Sequence, residues 1–253
     1  MTVKTLYEKI CERIPEALSC EWDNDGIMCS QDLTSEVNNV LIALDVTEEV
    51  VDYAISRNFD LIISHHPLIF RPISSVTEDN HIARKIIKLL TNNITVFSFH
   101  TRADKVTGGV NDLLADFIGL TDVHPFGEDG LGRIGILPEE RELENFSEDV
   151  KMLLGADTVR FADAYNTVKR VALVGGDGKE YVRAAIEAGA DTYLSGRIGY
   201  NVMEEAPEMG INLVEAGHYF TELPVTTFFA AIVSSLDGNA YIEIADSNMI
   251  KSV

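Results

Sequence analysis

Asp60-Leu61-Ile62-Ile63-Ser64-His65-His66-Pro67 is an apolar run that ends in two adjacent histidines and a proline. Such a run, four to eight residues long, reads as a strand buried on both faces. On a strand, neighbouring side chains point to opposite faces, so one ring of the pair would enter the core. Where the strand gives way to a loop, both rings can instead reach toward neighbouring points. Pro67 holds His66 to extended backbone conformations and helps fix that divergence. Taken alone, the pair fits one buried and one solvated histidine equally well.

The flanking sequence alternates in the same style. Residues 39–44 (NVLIAL) predict a strand, 47–57 a helix, 81–90 a second helix, 94–99 (ITVFSF) a strand ending at His100, and 108–118 a helix. Strands alternating with helices imply an α/β sheet covered by helices. His65, His66 and His100 then follow the C-terminal ends of strands, the edge where open parallel sheets bind ligands. Upstream, an amphipathic helix opens the chain and leads to the turn-rich stretch 20–26 (CEWDNDG).

The polar, glycine-bearing segment 121–131 (TDVHPFGEDGL) reads as a crossing into a second α/β pattern. That pattern has strands at 133–137, 158–161, 171–175, 192–195 and 211–215, and helices at 142–154 and 180–188. The chain closes with a helix over 221–235 and a strand at 240–244. The expected organisation is two α/β domains, residues 1–125 plus 216–253 forming the first and 126–215 the second. Gly175-Gly176-Asp177-Gly178-Lys179 lacks both phosphate-loop spacings, so it predicts a tight strand-to-helix turn.

The 253 residues include 41 acidic and 20 basic ones, a net charge of −21. Such a surface repels phosphate backbones and anionic membranes, which disfavours nucleic-acid binding. It also serves simply as a solubilising coat. A small anionic ligand stays compatible, because bound metal ions reverse the local sign. Three cysteines without a CxxC pair, no signal sequence, and no apolar run near the roughly 18 residues of a membrane span imply a reducing cytoplasm.

Three separated pieces carry chemistry. These are His65-His66, the stretch from His100 to Asp104, and His218-x-x-x-Glu222. Residues four apart share one helix face and can share an ion. Pro224 suits only a first helical turn, which makes Thr221 the expected N-cap and puts His218 in the turn before the helix. Two ions with about three protein ligands each need about six bonds. Five residues, His65, His66, Asp104, His218 and Glu222, supply six if Glu222 or Asp104 bridges. Mixed imidazole and carboxylate ligation suits zinc, iron, manganese, cobalt or nickel. Asp45 and His100 read as orienting partners of ligands or water, or as satisfied buried polar groups.

The ordered motifs Trp22-Asp23-Asn24-Asp25-Gly26, Leu44-Asp45-Val46-Thr47, Ser64-His65-His66-Pro67-Leu68-Ile69-Phe70, His100-Thr101 with Asp104, Gly108-Gly109-Val110-Asn111-Asp112, and Gly217-His218-Tyr219 with Glu222 resemble the GTP cyclohydrolase 1 type 2 homologue family, the Nif-three-like proteins. The resemblance spans nearly the whole chain. It implies two α/β domains with the last segment returning to the first, and two divalent metal ions per subunit on His65, His66, Asp104, His218 and Glu222. It further implies a toroidal homohexamer with the metal sites facing its interior. It assigns Trp22 to Gly26 to shaping a loop near the site. Arg197 stands where many relatives carry an acidic residue, and Ile198 to Asn201 lack a histidine often found nearby.

Two functions follow as expectations. One is metal-dependent hydrolysis of a nucleotide or related heterocycle, with Glu222 and metal-activated water as the suspected catalytic groups. The alternative is a non-catalytic, ring-forming metal-handling or regulatory scaffold.

Overall fold

The computed structural model describes residues 1–251. The chain begins with α1 (Val3–Arg13), capped by the Thr2 hydroxyl, which accepts from the Thr5 amide at 3.2 Å. There follow β1 (Gly26–Cys29), β2 (Asn39–Ala43), α2 (Glu48–Ser56), β3 (Leu61–Ser64), α3 (His81–Thr91), β4 (Thr95–Ser98) and the short α4 (Thr101–Lys105). Thr47 caps α2 and Asn80 caps α3, as serine, threonine and asparagine do at helix starts. Next come α5 (Val110–Phe117), β5 (Thr121–Phe126), β6 (Gly132–Arg141), α6 (Leu143–Leu154), β7 (Arg160–Ala162), β8 (Val168–Asp177), α7 (Val182–Glu187), β9 (Thr192–Arg197), α8 (Tyr200–Glu205), β10 (Asn212–Glu215) and α9 (His218–Glu222). α10 (Val225–Leu236) and β11 (Tyr241–Ile244) complete the chain.

Two α/β units result. The first comprises Met1–Val106 and Val225–Lys251, so the C-terminal segment returns to it, and the second comprises Thr107–Pro224. The divisions fall at 106/107 and 224/225, whereas the sequence reading set them near 125 and 215. The difference arises because α5 packs on β6 and β8, and α9 packs on β8 and β9.

In the first unit the strand order is β1-β4-β3-β2-β11, with β2, β3, β4 and β11 parallel and β1 antiparallel on the edge. All four residues of β3 are buried because strands and helices surround it on every side. Leu41, Ala43, Ile62 and Val96 pack on one face with Val50, Val51, Ile86 and Leu89 from α2 and α3. On the opposite face Ile63 meets Ile10 of α1 and Phe229, Ile232 and Val233 of α10. Contrary to the expectation of no such run, α9 and α10 together are long and apolar enough, by length and composition alone, to cross a membrane. Val225, Thr226, Phe229, Ile232 and Val233 of α10 are instead buried in the fold.

In the second unit the order is β5-β6-β8-β9-β10-β7, with β8, β9 and β10 parallel and the other pairings antiparallel. Val171 and Leu173 face one cluster while Ala172 and Val174 face another, the alternation expected of a strand covered on both sides. The segment 121–131, expected as a crossing, starts with β5. It looks polar because it is an edge strand, and Pro125 is tolerated there for the same reason. β1 and α8 were not anticipated either.

Candidate metal centre

β2, β3 and β4 deliver Asp45, His65 with His66, and His100 to one edge of the first sheet. The His66 amide donates to the Leu44 carbonyl and the Phe99 amide to the Ser64 carbonyl, both at 2.9 Å, so the ladder continues through the first residues past the strands. His65 is fully buried, and its Nδ1 lies 3.0 Å from the Phe99 carbonyl oxygen. A carbonyl only accepts, so Nδ1 carries the proton and the lone pair sits on Nε2. That Nε2 stands 3.6 Å from Oδ1 of Asp104. His66 repeats the arrangement, with Nδ1 2.8 Å from Oδ1 of the Asp45 carboxylate. Asp45 thus meets His66 through a direct hydrogen bond.

His100 follows the same rule, its Nδ1 donating to Oδ1 of Asp23 at 2.7 Å. The rings of His65, His66 and His100 lie with centroids 5.0 to 5.7 Å apart, and each offers a nitrogen within 4.8 Å of the others. Burial opposes charge on His100, but the bond to Asp23 and the nearby Asp104 and Asp23 charges outweigh it and raise its pKa. For Asp23, desolvation works against ionisation, yet its bonds to His100 and Thr101 hold the carboxyl well below the usual range.

Asp104 sits on α4, whose position is fixed from the turn-rich loop. Asp23 also accepts from the Thr101 amide and hydroxyl at 3.0 and 2.6 Å, and Asp25 accepts from Arg102 Nε at 3.0 Å. Arg102 is fully buried, donates to the Ile14 carbonyl at 3.3 Å, and lies 4.7 Å over the Phe99 ring. A buried guanidinium needs such a set of partners to offset its desolvation. Asp23, Asp25 and Arg102 therefore hold the piece of chain that bears His100 and Asp104. The resemblance implies a shaping role for Trp22 to Gly26, but it does not foretell the partners: Asp23 with His100 and Thr101, and Asp25 with Arg102.

The second unit carries His218 and Glu222. β10 ends at Glu215, Gly217 turns the chain at φ +89°, and α9 begins at His218. The expected start at Thr221 is corrected. His218 and Glu222 lie on one helical turn, with Nε2 and Oε2 3.0 Å apart, and Pro224 falls in the break before α10. The Thr221 hydroxyl is no cap; it accepts from the Gly176 amide at 3.1 Å and so ties α9 to the end of β8. Gly176 (φ +68°) is required there, since a Cβ on it would stand 2.0 Å from Oε1 of Glu222 and 3.2 Å from Nε2 of His218. The motif expected as a tight turn is in part strand: Gly175 to Asp177 end β8 and the turn comes only at Gly178, while its second glycine leaves room for the donor pair. Asn111, fully buried, accepts from the Gly175 amide at 2.7 Å and donates to the Leu131 carbonyl at 3.0 Å, while Asp112 pairs with Arg133. Arg197 is largely exposed, 3.7 Å from Asp177.

The five expected ligands thus divide three and two between the units. Imidazole nitrogens of fixed tautomer beside carboxylates, and a glycine that clears space at Glu222 and His218, fit a divalent metal ion. The fold and these donors define a two-unit α/β protein with histidine and carboxylate groups able to hold metal. Residues 1–252 match the model of the Duf34/NIF3 (NGG1p interacting factor 3) family, and the chain belongs to that family. A GTP cyclohydrolase 1 type 2 homolog of Clostridium perfringens is 36% identical over 232 residues, covering 89% of this chain and 88% of that protein. One from Lactococcus lactis is 36% identical over 218 residues, 84% of this chain and 83% of the relative. Among solved structures, Staphylococcus aureus hypothetical protein SA1388 superposes with a TM-score of 0.90 at 26% identity, over 100% of this chain and 99% of that one. Reduced HcgD from Methanocaldococcus jannaschii gives 0.85 at 30% identity, over 96% and 97%.

Proposed function

We propose that the chain is a dinuclear metal protein that hydrolyses a nucleotide or related heterocycle. His65, His66, Asp104, His218 and Glu222 hold the two divalent ions, which are zinc, iron, manganese, cobalt or nickel. The observation that carries this reading is the shared tautomer of His65 and His66, each proton fixed on Nδ1 by an acceptor behind the ring. Metal-ligating histidines take this arrangement because it orients the ring and raises the basicity of Nε2. A bound pair supplies Lewis acidity and acidifies water to near neutral pH.

The chain's own groups then have distinct tasks. Asp45 and the Phe99 carbonyl keep Nε2 of each histidine as the donor. Glu222, buried and 3.0 Å from His218, is positioned to accept or hold a proton beside that ring. By its resemblance to the family, the protein works as a toroidal homohexamer in the cytoplasm.

The test is a metal-loaded preparation assayed against a nucleotide panel, with metal content measured in parallel. Wild type should bind two ions per chain and turn over at least one nucleotide, and Glu222→Ala should abolish turnover. Two bound ions without turnover of any nucleotide would support the non-catalytic alternative, a ring-forming metal-handling or regulatory scaffold. Absence of stoichiometric metal would remove both readings.

A further inference from the structure

Trp22 and Phe70 are large apolar side chains left facing solvent, 63% and 43% exposed, beside His100 and the histidine cluster of the first unit. Exposed aromatics grouped in this way mark binding surfaces more often than isolated ones do. The Trp22 ring lies 6.2 Å from Phe70 at 76° and 6.1 Å from His100 at 78°, and Phe70 lies 6.0 Å from His100 at 89°. Three rings at near right angles form an open corner rather than a stack. Each pair makes the edge-to-face contact that aromatic rings favour, which leaves ring faces available to a fourth ring.

The corner is built, not loose. Asn24 donates from its side chain to the Ile69 carbonyl, joining the loop that carries Trp22 to the loop that carries Phe70. The third ring is held by the His100 bond to Asp23, the residue next to Trp22. Its neighbours on the other side are His65 and His66, with ring centroids 5.3 and 5.7 Å from His100. The corner therefore adjoins the histidine cluster.

We propose that Trp22 and Phe70 are the seat for a planar heteroaromatic ring, with His100 closing the third side. Stacking recognises any base through its π-face, so the seat selects for the presence of a flat ring rather than for one base. This rests on the reading that a ligand is brought to the metal donors, and it names the part of that ligand the protein grips.

Trp22 is the only tryptophan in the chain, so intrinsic fluorescence reports on this corner alone. The metal-loaded full-length protein is titrated with guanosine, uridine and nicotinamide mononucleotides, and with ribose 5-phosphate as the ring-free control. Saturable quenching by the ring-bearing ligands and none by ribose 5-phosphate is expected. Phe70→Ala, which retains Trp22, should weaken binding roughly tenfold, the size expected for losing one stacking partner. Calorimetry should show about the same loss for Trp22→Ala and substantial recovery for Trp22→Phe.

Quenching by none of the three ligands, equal quenching by ribose 5-phosphate, or unchanged affinity in Phe70→Ala would overturn the proposal. Saturable quenching without turnover leaves the seat intact and removes hydrolysis. Turnover with unchanged KM in both variants removes the seat and leaves hydrolysis.

Discussion

The two units prepare their candidate metal donors by different physical means. In the first, His65 and His66 stand just past a parallel strand, and each is oriented by a hydrogen bond from Nδ1 to an acceptor behind it. In the second, His218 and Glu222 share one turn of a five-residue helix, and their position depends on how closely Gly176 lets that helix approach β8. Hydrogen bonds define the donor atoms on one side, and steric fit defines them on the other. The first arrangement should degrade gradually when partners are removed one at a time. The second should fail with a single added methyl group.

The largest expected effect is therefore at Gly176. Gly176→Ala meets both a left-handed backbone and a contact of 2.0 Å with Glu222. Overpacking and an unfavourable φ together should cost about 3 kcal/mol, read as a lower urea midpoint. Metal content should fall with it. A variant of wild-type stability and full metal content would show that α9 is not seated by this glycine.

Asp45→Ala probes the opposite design. It removes the acceptor behind His66 without touching the core, so stability should change by less than about 1 kcal/mol. Metal affinity should drop about 10–100-fold, the usual cost of losing such an orienting partner. Chelator competition distinguishes this from a folding defect. Equal affinity in wild type and variant would mean that the hydrogen bond at 2.8 Å does not set the donor.

Asp23→Asn removes a buried carboxylate and shows itself in pH dependence. The folded protein holds the Asp23 carboxyl below its unfolded value through His100 and Thr101. A depressed carboxyl contributes stability that is complete above its unfolded pKa of about 3.9 and lost as pH falls through the folded value. Metal-free wild type should therefore lose stability on acidification below about pH 4 more steeply than Asp23→Asn. Parallel curves for the two proteins would contradict the assignment.

The sequence showed the first unit more completely than the second, and the reason is physical. β2, β3 and β4 are apolar because they are buried on both faces, so their ends, and the polar residues that follow, stand out in the chain. The second sheet has edge strands such as β5, whose polarity resembles a linker, and this displaced the expected domain limits. The pairing of Asp23 with His100 spans 77 residues, and no local pattern encodes it. Nor does anything around Gly176 announce that a side chain 46 positions later will occupy its missing Cβ. The start of α9 was misjudged because Pro224 was read as belonging to the helix that holds Glu222. It lies in the break that separates α9 from α10.

Anomalous diffraction from crystals of the metal-replete protein tests the central claim most directly. Two peaks per chain are expected, bounded by Nε2 of His65 and His66 and by Asp104, His218 and Glu222, with His100 outside both coordination spheres. A single peak, or a metal bound by His65, His66 and His100 without the residues of the second unit, would contradict it.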